Sequence, residues 1–305
     1  AISLGTAAVL AGDDRDRMAS IPDTSGFDRN EFVFQRGHDY TYKRCFTLAG
    51  GKLVDVGRAD GCTVEEMEAG IGPKTAGIAY FESGRWGSEW VSLDQAREVA
   101  DKHGIKLVVD AAGQIYPLDQ FMRVARTGDV VAFGAKYIGS PHSTGICTGR
   151  SELVESAFLQ NFIGFELAGI QGLARPYGRP YKTDRGEVMG VAVALRRWFS
   201  MNHEERLAVE EDKRSAFARG LAGIAGVTTS IPKEAQLGPN VTVFIHFDAG
   251  ITGIDGHEVI KQLEEGDPPI WTRTHDDGGS IGIGVQMLSD EEVETVVERL
   301  RDIFA

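Results

Sequence analysis

Apolar and polar positions along the chain switch between two periods. Short runs of β-branched and aromatic residues alternate with longer stretches spaced like a helix face. Phe32–Gln35, Lys52–Val56 and Thr75–Tyr80 read as strands. Thr63–Ala69 reads as a helix opened by a capping-box-like pair, Thr63 and Glu66. Ser92–His103 reads as a helix that Ser92 caps and Gly104 ends. Ile105–Val109 lacks polar alternation, as expected of a parallel strand covered on both faces. A helix at Leu118–Arg126 and a strand at Asp129–Phe133 complete a strand–helix–strand unit. Such units are right-handed and bring both strand ends to one edge of the sheet, where ligands bind in open α/β folds.

After Arg150 the pattern changes. Helices are predicted over Glu187–Met201 and His203–Ala225. Strands are predicted over Val227–Ile231, Val241–Phe247, Ile270–Arg273 and Ile281–Val285, with helices at His257–Glu264 and Asp290–Phe304. The expected organisation is a large α/β domain over residues 1–190 and a small α+β domain over residues 191–305. The boundary falls near 185–200, and no solenoid-length repeat or low-complexity tract appears.

Composition narrows the function. A chain of 305 residues can bury a large core. A net charge of −13 without any basic run argues against a nucleic-acid partner. Cys45, Cys62 and Cys147 are widely spaced and form no CxxC pair, so neither a zinc site nor a disulfide framework is expected. A reducing cytoplasm is the expected setting. No apolar run is long enough for a membrane span. The opening AISLGTAAVLAG lacks a basic region and is interrupted by Gly5 and Thr6, so it does not read as a signal peptide. The absence of an initial Met suggests a processed or partial form of a longer protein.

The chemistry centres on Lys136. It follows an apolar strand, and another such strand ends in Asp110. An acid and an amine at one sheet edge can grip a pyridine cofactor: the lysine forms a Schiff base and the acid holds the ring nitrogen protonated. A lone lysine after a strand is commonly just a surface residue; here Gly134 and Ala135 leave room for a ring. Ala112 is small enough to lie against one ring face. Gln114 could reach the cofactor's phenolic oxygen or the substrate, or simply tie down a loop. Gly5, Thr6 and Ala7 open an Ala-rich helix whose amides suit a phosphate, although a capped helix has the same look. His38 could stack over the ring or be an ordinary loop histidine, and Arg36 could meet a carboxylate or phosphate.

Together the segments GTAAVLAG, QRGHDYTYKRCFTLAGGKLVDVG, VVDAAGQ, GDVVAFGAKYIGSPHSTGICTGR, GRPYKTDRGEVMGVAVAL and EGDPPIWTR resemble fold-type I pyridoxal-phosphate (PLP) enzymes. They are most similar to the branch shared by bacterial selenocysteine synthase and D-glucosaminate-6-phosphate ammonia lyase. The resemblance implies a mainly parallel, seven-stranded type of sheet. It also implies that Lys136 carries PLP, Asp110 holds the ring nitrogen and Gly5–Ala7 bind the phosphate. Ser140, Ser143 and Thr144 would reach the cofactor phosphate of a neighbouring subunit, in a homodimer or larger homo-oligomer. Arg273 would bind the substrate carboxylate, and Arg179 and Lys182 a distal substrate phosphate. Two departures stand out: Gly134 replaces the serine of many relatives, and those relatives carry more chain ahead of the GTAA helix.

The expected activity is PLP-dependent α,β-elimination from a hydroxylated amino acid or amino-sugar acid. The products would be a 2-keto acid and ammonia, with Lys136 as base and Lys136 or His38 as proton donor. A selenium transferase is disfavoured by the acidic charge. An aminotransferase, a racemase or an aldolase would use the same Asp and Lys. A binding protein with a dead site is disfavoured by the intact pair.

Overall fold

The computed structural model describes residues 1–38, 40–84, 86–162, 177–231 and 242–304. The chain forms two compact units, Ala1–Phe199 and Ser200–Ala305.

In the first unit the strands are β1 (Glu31–Gln35), β2 (Lys52–Val56), β3 (Thr75–Phe81), β4 (Lys106–Asp110), β5 (Val130–Gly134) and β6 (Gly145–Gly149). They form one sheet in the order β2-β1-β3-β4-β5-β6. Neighbours from β2 to β5 pair in parallel, and β6 runs antiparallel to β5. The sheet is therefore mixed and mostly parallel. It has six strands among the described residues, against the seven-stranded type expected. β6 was not foreseen, because its Gly-Ile-Cys-Thr-Gly composition carries neither an apolar run nor alternation. Apolar side chains on β1, β4 and β5, including Phe32, Phe34, Val108 and Val130, share one core with Leu10 and Phe46.

The helix caps follow the sequence. Thr63 and Glu66 form a full capping box, as do Ser92 and Gln95. Gly104 ends the helix Leu93–His103 in the left-handed region at φ 61°, a conformation that costs glycine little. The first helix, Ile2–Ala11, lies so close to β5 that a Cβ on Gly5 would sit 2.4 Å from Val130 Cγ1.

In the second unit β7 (Val227–Ser230), β8 (Thr242–Phe247), β9 (Arg273–His275) and β10 (Ser280–Gly284) form an antiparallel sheet in the order β7-β8-β10-β9. β8 alternates buried and half-buried residues, as a strand with one covered face must. Helices His203–Gly220, Gly256–Glu264 and Asp290–Phe304 supply Phe217, Leu263 and Leu300 to its core. Two expectations shift. The strand placed at 270–273 begins only at Arg273, because Ile270 N–H bonds the Leu263 carbonyl instead of the sheet. The helix extended to Ala225 stops at Gly220, and Gly223 turns at φ 84°. Val241 lies outside the described residues.

Asp129 fastens the start of β5. Its carboxylate is 1% exposed and accepts from Arg97 at 2.7 Å, from the Leu107 amide at 2.7 Å, and from Arg150. Burial alone would raise this carboxyl, but the Arg97 and Leu107 bonds, joined by Arg150, hold it below the ordinary carboxylate range. A depressed folded value means that its stabilisation is complete above the unfolded value of about 4 and is lost as pH falls through the folded one. Asp129→Asn should lower unfolding free energy by roughly 1–3 kcal/mol at pH 7. It should also remove this residue's share of the acid-side slope in urea melts run from pH 7 to 3.

Candidate active site

β1, β3, β4 and β5 all end at one edge of the first unit's sheet, and the expected chemistry gathers there. Asp110 is the last residue of β4, opposite Ala132 of β5, and is 3% exposed. Its carboxylate accepts from the Tyr40 hydroxyl on one oxygen and from the Ala112 amide, at 3.0 Å, on the other. Burial pushes the carboxyl above its ordinary range, and these two bonds pull it back.

The backbone ties the lysine to the same place. Gly134 N–H donates to the Ala112 carbonyl at 2.9 Å, joining the end of β5 to the turn after Asp110. A Cβ on Gly134 would meet the Tyr137 ring at 2.9 Å and the Ala112 carbonyl at 3.3 Å. A serine at this position therefore does not fit this backbone without a shift. Beyond Gly134 the chain makes a single turn of 3₁₀ helix, Ala135–Ile138. Ala135 and Ile138 are buried, while Lys136 between them is exposed, with Nζ 5.0 Å from the Tyr137 ring centre. Gly139 closes the turn at φ 85°. Gln114 lies against Gly84 in the loop after β3, and Arg36 is exposed just past β1.

Other expected residues are placed differently. His38 is 1% exposed and its ring stacks on Trp86, with centres 3.8 Å apart and planes 5° from parallel. Phe34, Tyr80 and Trp90 surround it, and among the described residues Nε2 has no hydrogen-bond partner. Burial lowers its pKa to about 4, so at neutral pH it is an uncharged ring in an aromatic box and not a cationic acid. The stacking and proton-donating roles expected for it need a face or nitrogen open to a ligand, and here Trp86 covers one face. Gly5, Thr6 and Ala7, expected at a phosphate, lie within the first helix. They are buried, and Gly5 N–H donates to the Ala1 carbonyl and the Thr6 hydroxyl to the Ile2 carbonyl, each at 2.9 Å. Their groups are used in the helix, and Gly5 serves its packing on β5.

The turn after Lys136 is tied internally. Thr144 donates to the Pro141 carbonyl at 2.6 Å, and its hydroxyl lies 2.9 Å from that of Ser140. Ser143 donates to Glu187 at 2.9 Å. Arg179 and Lys182 both lie over the Phe162 ring, at 4.3 and 4.6 Å. Arg273 is exposed on β9 of the second unit, opposite Gly282.

The sequence reading missed Tyr40. It lies inside a quoted segment, yet nothing local marks it, since its partner is remote in the chain. The arrangement as a whole fits a PLP ring: a buried acid at one strand end, an exposed amine just past the next, and small residues, Ala112 and Gly134, between them. A carboxylate offers about four lone-pair positions, so Tyr40 and Ala112 leave room for a ring N–H. Among the described residues no helix is long and apolar enough to cross a membrane.

No protein-family model matches the chain. It is 28% identical to D-glucosaminate-6-phosphate ammonia lyase of Salmonella typhimurium, over 99% of this chain and 78% of that protein. It is 27% identical to a Streptomyces 5'-C-glycyluridine monooxygenase-decarboxylase, over 99% and 74%. The solved structure of a D-glucosaminate-6-phosphate ammonia-lyase superposes with a TM-score of 0.78 at 26% identity, covering 99% of this chain and 78% of that one. With its sheet, its strand-end acid and its lysine, the chain has the fold of the fold-type I PLP-dependent enzymes and is similar over nearly its whole length to D-glucosaminate-6-phosphate ammonia lyase.

Proposed function

We propose that the chain is a PLP-dependent ammonia lyase that eliminates the β-hydroxyl of a hydroxylated amino acid or amino-sugar acid, of the D-glucosaminate-6-phosphate kind. The products are a 2-keto acid and ammonia. The observation that carries this reading is the buried Asp110 beside the Gly134–Lys136 turn, in a chain similar over 99% of its length to such a lyase. When bound, PLP supplies an electron sink for the charge left at the substrate's α-carbon. Asp110 keeps the proton on the ring nitrogen. Lys136 holds the cofactor until substrate arrives, then its freed amine takes the α-proton. The same ammonium returns that proton to the departing β-hydroxyl, which leaves as water. The released enamine regains the water by hydrolysis and frees ammonia, so the atoms balance.

Arg273 is the proposed carboxylate ligand, for its exposed, fork-shaped guanidinium. Arg36, Arg179 and Lys182 are proposed for the anionic groups farther along the substrate. Ser140, Ser143 and Thr144 are proposed to reach a neighbouring subunit's cofactor phosphate, which would make the active unit a homodimer or larger.

The Streptomyces relative, nearly as similar, carries a second reading: an oxygen-consuming decarboxylase on the same residues. Parallel assays in air and under argon separate the two. Equal keto-acid and ammonia release in both gases is expected, and none from Lys136→Ala. Oxygen-dependent release of carbon dioxide would establish the second reading instead.

Asp110 gives a further outcome. A carboxyl raised in the folded state binds its proton more tightly there than in the unfolded chain. Stability therefore falls as pH rises from about 4 through the raised value, and stays low above it. Cofactor-free Asp110→Asn should melt at or above the wild-type temperature at pH 7, yet lose most of its affinity for PLP in an absorbance titration.

A further inference from the structure

Tyr40 follows β1 in the chain, and its hydroxyl donates to Asp110. The side chain is 4% exposed. Phe34, Phe46 and Phe81 box its ring, with centres 6.1, 6.3 and 4.6 Å away. Phe34 and Phe46 belong to the main core of the first unit, as Tyr40 does. A ring so packed cannot swing without disturbing close-packed neighbours, so its hydroxyl has one direction to point. Burial, and after it the nearby Asp110 charge, push the phenol far above its ordinary range. The group is thus a permanent donor. No feature of packing requires a hydroxyl here, since a phenylalanine would fill the same box.

We propose that Tyr40 is a positioning residue for the cofactor: its hydroxyl holds the Asp110 carboxylate ionised and in one rotamer, with a lone pair left facing the protonated ring nitrogen. The proposal rests on the PLP reading above. A carboxylate at 3% exposure without donors would tend to take up a proton and turn. A protonated acid no longer favours charge on the ring nitrogen. The Ala112 amide supplies a second donor, but it is part of the same turn as Asp110. Tyr40 is anchored in a separate part of the core, and so it alone fixes the carboxylate from outside that turn among the donors seen.

The test is a double-mutant cycle on PLP affinity, read by absorbance titration of cofactor-free wild type, Tyr40→Phe, Asp110→Ala and the double variant. Phe keeps every ring contact, and thermal melts of the cofactor-free proteins check that it does. Tyr40→Phe should weaken PLP binding about tenfold, the worth of a hydrogen bond to a charged group, and should move the visible band. On the Asp110→Ala background the same change should alter affinity less than about twofold, because a residue acting through Asp110 has nothing left to act on. Wild-type affinity and band in Tyr40→Phe, or an equal loss on both backgrounds, would overturn the proposal while leaving the cofactor reading intact. Failure of the wild-type protein to bind PLP at all would overturn both.

Discussion

Burial of the Asp110 carboxylate at the end of β4 is the constraint around which the first unit is arranged. Withdrawing a carboxylate from water costs several kcal/mol unless donors replace the solvent. Among the described residues the donors are Tyr40 and the Ala112 amide, and the carboxyl is still pushed upward by its burial. Asp129, at the opposite end of the sheet, makes a useful contrast. It is equally buried, but two guanidinium groups and an amide hold it below the ordinary carboxylate range. One acid is saturated and fastens the fold. The other keeps acceptor capacity in reserve, as a group meant to receive a ligand must.

The lysine follows from the same geometry. Parallel pairing sets Asp110 against Ala132, and the Gly134–Ala112 hydrogen bond carries the chain on to a short turn. Buried Ala135 and Ile138 anchor that turn on either side of Lys136 and leave its amine exposed. A lysine that must exchange between cofactor and free amine needs such a mount: rigid in its backbone and free at its tip.

Much of this was legible in the sequence. Capped helices such as Leu93–His103 and unbroken apolar strands such as β4 carry their signals locally, and both stand where the pattern placed them. So do Asp110 and Lys136, because strand ends in a parallel unit share an edge by topology alone. What the sequence leaves open lies where tertiary contacts decide. Whether His38 meets a ligand or Trp86 depends on a loop far along the chain. Thr6 reads as a phosphate donor from the sequence, while in the fold its hydroxyl bonds its own helix. Tyr40 left no local trace, since its partner is on another strand. The reaction type is less legible still: one set of residues around PLP can serve several chemistries, and the two relatives compared carry different names.

Because every role assigned at this edge presumes that one lysine carries the cofactor, the most direct measurement is where PLP becomes attached. Borohydride reduction of the PLP-loaded protein, followed by proteolysis and mass mapping, should place the pyridoxyl group on the peptide containing Lys136 and on no other. A label on a different lysine, or a protein that takes up none, would contradict the site described for this chain.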